Sequence, residues 1–223
     1  VEGTYSIEGN KLYAPDGTWM YTGKAMYIPI HGVSAEAHFP DVLKLPCERL
    51  ELLQPGWRAS DESKMSIRPF MDTAQPWQVP AWAAVRYGEL YVRAASVNLT
   101  REGVGVHIRI ESKSWRQKWT KDEAVSLVAN YLRRGERAPV LTMWLGDGKT
   151  ERREVLSGNY RLTVAAREPW RLSSSTGMKK ALVATGREAF VKLRDAAGTY
   201  GELLGLLRAH KWIEIKTRHG RRL

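Results

Sequence analysis

The stretch Pro139-Val140-Leu141-Thr142-Met143-Trp144-Leu145-Gly146-Asp147-Gly148 decides how the C-terminal half of this chain folds. Proline is pre-organised for the first helical position and Gly148 is a natural stop, so the run predicts a helix. Thr142 and Gly146 are four residues apart and share one face. Their small side chains form a strip along which a second helix can approach closely, and the carboxylate of Asp147 then projects from the helix end. Two helices packed in this way place two carboxylates side by side. Such a pair repels unless cations neutralise it, which makes it a site for Mg2+. A divalent ion bridging a phosphate activates water and stabilises the leaving oxygen.

On either side of the stretch the periodicity is local and clear. Upstream, Thr120 and Glu123 form a capping box at the start of a helix whose apolar stripe is Val125, Val128, Ala129 and Leu132. Downstream, the Thr150–Leu156 run and Asn159–Ala166 read as paired strands across Ser157-Gly158-Asn159, and Lys180–Thr185 reads as another strand. Helices follow at Arg187–Ala196 and Thr199–His210.

The N-terminal part reads as β-rich: short strands with strong turns over residues 4–30, then a helix capped by Ser34 and running toward Leu45. Prolines 46, 55, 69, 76 and 80 punctuate residues 46–80, which are expected to be irregular with short strands. Two longer strands follow, Glu89–Leu99 and Val104–Glu111. In the second, Val104, Val106, Ile108 and Ile110 alternate with Gly105, His107, Arg109 and Glu111, the period of a half-buried strand. Its polar face carries His107 and Arg109, with Arg93 from the neighbouring strand. Such a face is equally suited to a DNA groove and to solvent.

The 223 residues carry a net charge of +11. Residues 139–223 hold 17 Lys and Arg against 8 Asp and Glu, so +9 of the excess lies there and +2 in residues 1–138. The basic residues are dispersed between hydrophobic positions, which suits a folded surface for a polyanion. The single cysteine, Cys47, excludes an intramolecular disulfide and any Cys-based zinc site. No apolar run approaches the roughly 18 residues of a membrane helix. Val1-Glu2-Gly3-Thr4-Tyr5 shows no secretion signal. A cytoplasmic, membrane-free location is the expectation.

Leu141-Thr142-Met143-Trp144-Leu145-Gly146-Asp147-Gly148 resembles the signature helix of the LAGLIDADG homing endonucleases. The runs Gly186–Phe190, Tyr200–Leu204 and Leu207–Trp212 are similar to the endings of archaeal members. The resemblance covers roughly residues 123–223. It departs from the family at Leu141-Thr142, where an Ala-Gly pair is usual. It implies an α+β chain: a β-rich region over 1–122, and over 123–223 an αββαββα half-domain whose saddle-shaped sheet lies on duplex DNA. Arg152, Arg161 and Arg167 from its strands would contact the groove, supported by Arg93 and Arg109. Asp147 matches the family's metal-binding acid, and Lys211 lies near where the family carries an active-site basic residue. The second Mg2+ ligand would be Glu89, since Pro80–Glu89 also starts with Pro and ends Gly-acid, or Asp147 of a second chain paired as a homodimer through the 139–148 helix. The activity so implied is a site-specific, metal-dependent double-strand break, the work of a hydrolase from a mobile element or intron. The alternative is a non-catalytic basic nucleic-acid-binding protein: a degenerate endonuclease relative, an RNA-splicing maturase or a subunit of a nucleoprotein complex.

Overall fold

A computed structural model describes residues 2–22, 25–64, 66–100, 103–152, 160–165, 181–185 and 187–218. Its first part is an eight-stranded antiparallel sheet. Strands β1 (Ser6–Glu8), β2 (Lys11–Tyr13), β3 (Trp19–Tyr21) and β4 (Ala25–Pro29) form a meander. Gly9 and Gly17, at φ 60° and 82°, take the left-handed conformation at its tight turns. The meander joins β7 (Gly88–Thr100), which pairs with β8 (Gly103–Ser112), and β8 pairs with β6 (Phe70–Thr73). Residues 34–39 form strand β5 (Ser34–Phe39) on β7, not the helix expected to begin at Ser34. Six consecutive pairings with β7 outweigh a local capping preference, since tertiary context overrides weak propensities.

The alternation in β7 and β8 separates two faces. Met71, Leu90 and Ile110 are buried on the side facing the helices. On the opposite, open side Asp72 lies across from Arg109, and Arg109 from Arg93. The burial fades toward the β7–β8 turn, where Val104 and Val106 are exposed.

Residues 46–80 are more regular than their prolines suggested. Cys47–Ala59 is helix α1, with Pro55 inside it, and Gln78–Ala84 is helix α2. Pro80 is the third residue of α2, in the first turn, where a backbone N–H has no partner within the helix. Pro55 does remove an internal hydrogen bond, at a cost of about 3 kcal/mol. Burial of Leu50, Leu53 and Trp57 on the same helix offsets it, at about 1.5–3 kcal/mol for each large apolar side chain.

Thr120 caps α3 (Lys121–Arg133) with the expected capping box: its hydroxyl accepts from the Glu123 N–H at 3.2 Å, and its own N–H donates to Glu123 Oε2 at 2.7 Å. Helix α4 (Ala138–Asp147) follows, then β9 (Lys149–Arg152), β10 (Tyr160–Ala165) and β11 (Ala181–Thr185) in a second antiparallel sheet ordered β11-β10-β9. The chain closes with α5 (Arg187–Leu206), kinked at Gly198, and α6 (His210–Arg218). The organisation is α+β, with the larger sheet in the N-terminal part and helices toward the C-terminus. From residue 121 the described elements run helix, helix, three strands, helix, helix, where αββαββα was expected over 123–223. Residues 166–180, between β10 and β11, lie outside the described residues. One hydrophobic cluster spans α1, α2, α4, α5 and α6, with Trp57, Trp82 and Trp144 fully buried. At its centre the Tyr200 hydroxyl donates to Ala81 O at 2.8 Å and accepts from Trp57 Nε1 at 3.2 Å.

Candidate functional site at the helix ends and on the open sheet face

Helices α1 and α4 lie against one another through a glycine on each. A Cβ added to Gly56 would overlap the Pro139 carbonyl, the Thr142 hydroxyl and the Met143 nitrogen; one added to Gly146 would overlap the Ser60 side chain. Thr142, the bulkier residue in the small strip, is fully buried, and its hydroxyl turns back to Pro139 O at 3.1 Å. The close crossing brings the two helix ends together, and with them Asp61, just past the end of α1, and Asp147, the last residue of α4.

The two carboxyl groups lie near enough for Asp147 to bear on the protonation of Asp61. Burial first, and then the charge of Asp147, push the Asp61 pKa up to about 6. Lys211 and a hydrogen bond from Gln78 Nε2 to Asp61 Oδ2 at 3.0 Å pull the other way. Gln78 Nε2 also donates to Leu145 O at 3.2 Å, so this one amide ties the end of α1 to the end of α4. A lysine covers each helix end. Lys121, in the first turn of α3, donates to Ser60 O; Lys211, in the first turn of α6, donates to Leu145 O at 2.9 Å and to Gly146 O. Cations are favoured at helix C-termini, where carbonyls are left unpaired. Burial lowers the pKa of both lysines, and the two acids act in the opposite direction.

The metal site expected here is not present. Among the described residues there is no group of three or more His, Cys, Asp or Glu side chains that could hold a metal ion. The metal-dependent endonuclease, its hydrolase chemistry and its Mg2+ are therefore corrected, and the metal roles of Asp147 and Glu89 lapse with them. The physical reason lies in the charges. Burial favours the protonated form of Asp61, and a buried and a half-buried lysine already supply the positive charge that such a pair needs. Glu89 lies elsewhere, exposed at the start of β7, where it pairs with His38 Nδ1 at 2.8 Å. The segment Pro80–Glu89 is the end of α2, a turn and the first residues of β7. Helix α4, considered above as a pairing surface between two chains, is buried from Ala138 to Gly146 within its own chain.

The sheet face holds the other expected residues. Arg109 donates through Nε and Nη2 to both oxygens of Asp72, at 2.8 and 2.6 Å, and its guanidinium lies 4.9 Å from the Phe70 ring centre. Its cross-strand neighbour Arg93 is half-buried, with an Nε that is shielded from solvent and has no hydrogen-bond partner among the described residues. Arg152 lies in β9 and Arg161 in β10, and Arg167 is outside the described residues.

Asp61 is the residue that sequence reasoning missed. A usable signal was present: Gly56, Ser60 and Asp61 repeat the spacing of Thr142, Gly146 and Asp147. Pro55 obscured it by marking the segment as irregular. Among the described residues no helix is long and apolar enough to cross a membrane. Comparison with protein-family models, with curated proteins and with solved structures finds no match to this chain.

Proposed function

We propose that this protein is a non-catalytic nucleic-acid-binding protein that sits on duplex DNA. The observation that carries the reading is charge: +11 over the chain, with +9 in residues 139–223. Each Lys or Arg placed on a phosphate releases a condensed counterion, which gives binding that needs no sequence recognition. Arg152 and Arg161 in β9 and β10 are the proposed phosphate contacts, with Arg93 on the open sheet face as a further DNA contact, while Arg109 is already held by Asp72. The helix-end acids belong to the scaffold in this reading: their hydrogen bonds and the two lysines join α1, α3, α4 and α6. The likeness to the LAGLIDADG signature helix supports a degenerate relative of that family, one that keeps the binding and lacks the cleavage.

Titration of a labelled duplex between about 50 and 200 mM salt tests it. The logarithm of the affinity should fall linearly with the logarithm of salt, with a slope of about −0.9 for each phosphate contacted. Arg152→Gln should reduce that slope by about 0.9. The duplex should stay intact when Mg2+ is added. No binding at about 50 mM salt overturns the proposal, and cutting that depends on a divalent ion overturns its non-catalytic part.

A further inference from the structure

The open face of the large sheet is not flat. Between β3, β4, β7 and β8 it carries a cavity of about 290 Å³, walled by Trp19, Tyr27 and His31 on one side and by Arg93, His107 and Arg109 on the other. A β-bulge forms its floor. The β7–β8 register shifts between Ala94 and Ser96, leaving Ala95 as the extra residue lining the cavity. Bulges of this kind re-aim side chains and occur beside functional sites.

The chemistry of the walls is mixed in a specific way. Trp19 and Tyr27 supply aromatic surface, and Pro29 and Ile30 add apolar surface between them. Of the two arginines, Arg109 is already neutralised by its bidentate pairing with Asp72. Arg93 is not: its Nε is a buried donor with no acceptor among the described residues. Arg93 lines the cavity and makes no ion pair among the described residues, so its guanidinium charge is left for an acceptor supplied by a ligand. The Asn98 amide nitrogen lies 2.9 Å from His107 Nε2. An amide nitrogen only donates, so Nε2 accepts and the His107 proton is left on Nδ1 as a further donor.

We infer that this cavity takes a single unstacked nucleobase, held against Trp19 and Tyr27 with its edge acceptors facing Arg93. A phosphate group fits the walls less well. It would gain one unpaired arginine but would sit against two aromatic rings and the carboxylate of Asp72. The edge of a base still within a duplex would not enter a concavity. The size agrees, because the volume lies just below the roughly 300–1,000 Å³ of small-molecule sites and suits one ring system better than a whole nucleotide. Guanine is the base whose adjacent O6 and N7 match an arginine. The inference rests on the duplex-binding reading and extends it to a preference for DNA carrying an extrahelical base.

The test compares three labelled duplexes at one salt concentration: fully paired, with a single bulged guanine, and with a bulged abasic nucleotide. The bulged guanine should bind about tenfold more tightly than either of the others, the effect expected from stacking one base on aromatic side chains. A 2-aminopurine placed in the bulge should lose fluorescence on binding. Trp19→Ala and Tyr27→Ala should each bring the ratio of bulged to paired affinity toward one, with folding checked by circular dichroism. Equal affinity of the unsubstituted protein for the paired and bulged duplexes overturns the pocket and leaves duplex binding standing. An abasic bulge that binds as tightly as the guanine bulge also overturns it, because duplex flexibility then accounts for the preference. Failure to bind any of the three overturns the inference together with the reading on which it rests.

Discussion

At Asp61 two effects act in the same direction: burial withdraws the carboxyl group from water, and Asp147 places a second acid against it. A free aspartate titrates near about 3.9, whereas Asp61 in the folded protein titrates at about 6. Between those values the native state holds a proton that the unfolded chain has released. The stability from this group is therefore fully present below about pH 4 and is lost as pH rises through about 6. Asp61→Asn removes the buried charge while keeping an oxygen for Gln78 and a donor for Asp147. The variant should gain about 1–2 kcal/mol near pH 8 and nothing near pH 4, as read by urea denaturation at both values. A loss near pH 8 would mean that attraction to Lys211 and Lys121 outweighs the burial.

The pairing of α1 with α4 depends on how closely two backbones can approach, and its two glycines are not equivalent. At Gly56 an added methyl group meets the backbone of α4 at Pro139 and Met143; at Gly146 it meets the short side chain of Ser60. Backbone cannot rotate away, whereas a serine side chain can be removed. Gly56→Ala should therefore cost about 3 kcal/mol, at the upper end of overpacking effects, and Gly146→Ala about 1 kcal/mol. Adding Ser60→Gly should restore much of the loss from Gly146→Ala and none of the loss from Gly56→Ala, which a double-mutant cycle on thermal or chemical unfolding would show. The pair of costs also bears on Asp61, since any widening of this crossing separates it from Asp147.

Over the whole molecule the net charge of +11 acts on two properties with opposite sign. Like charges on a compact surface repel, so the free protein should become more stable as salt screens them. The same screening weakens attachment to a polyanion. Raising salt from about 50 to 200 mM should lift the melting temperature of the free protein by about 2–4 °C, for a gain of about 1 kcal/mol. Over the same range the stabilisation conferred by added duplex should shrink, because a ligand stabilises only in proportion to how strongly it binds the native state. A melting temperature that falls with salt in both cases would place the dominant charge interactions in attractive pairs, such as Arg109 with Asp72 and Lys118 with Glu51.

The features that the sequence determined by itself are those with short-range causes. The Thr120–Glu123 capping box, the alternation through Val104–Ile110 and the proline-started run ending at Asp147 all appear as α3, β8 and α4. Each depends on hydrogen bonds or periodicity within a few residues. The basic balance of the C-terminal half was legible for the same reason, since charge is counted without knowing the fold. Tertiary structure alone decided the rest. Ser34–Phe39 is a strand because β7 lies beside it, and Cys47–Ala59 stays helical through Pro55 because Trp57 is buried against residues as distant as Tyr200. Asp61 meets Asp147 because two glycines, 90 positions apart in sequence, let their helices cross closely. Arg109 is held by Asp72 because β6 and β8 pair in the register that sets the two side by side. In each case the deciding energy comes from burial or pairing between distant segments, which local propensity cannot anticipate.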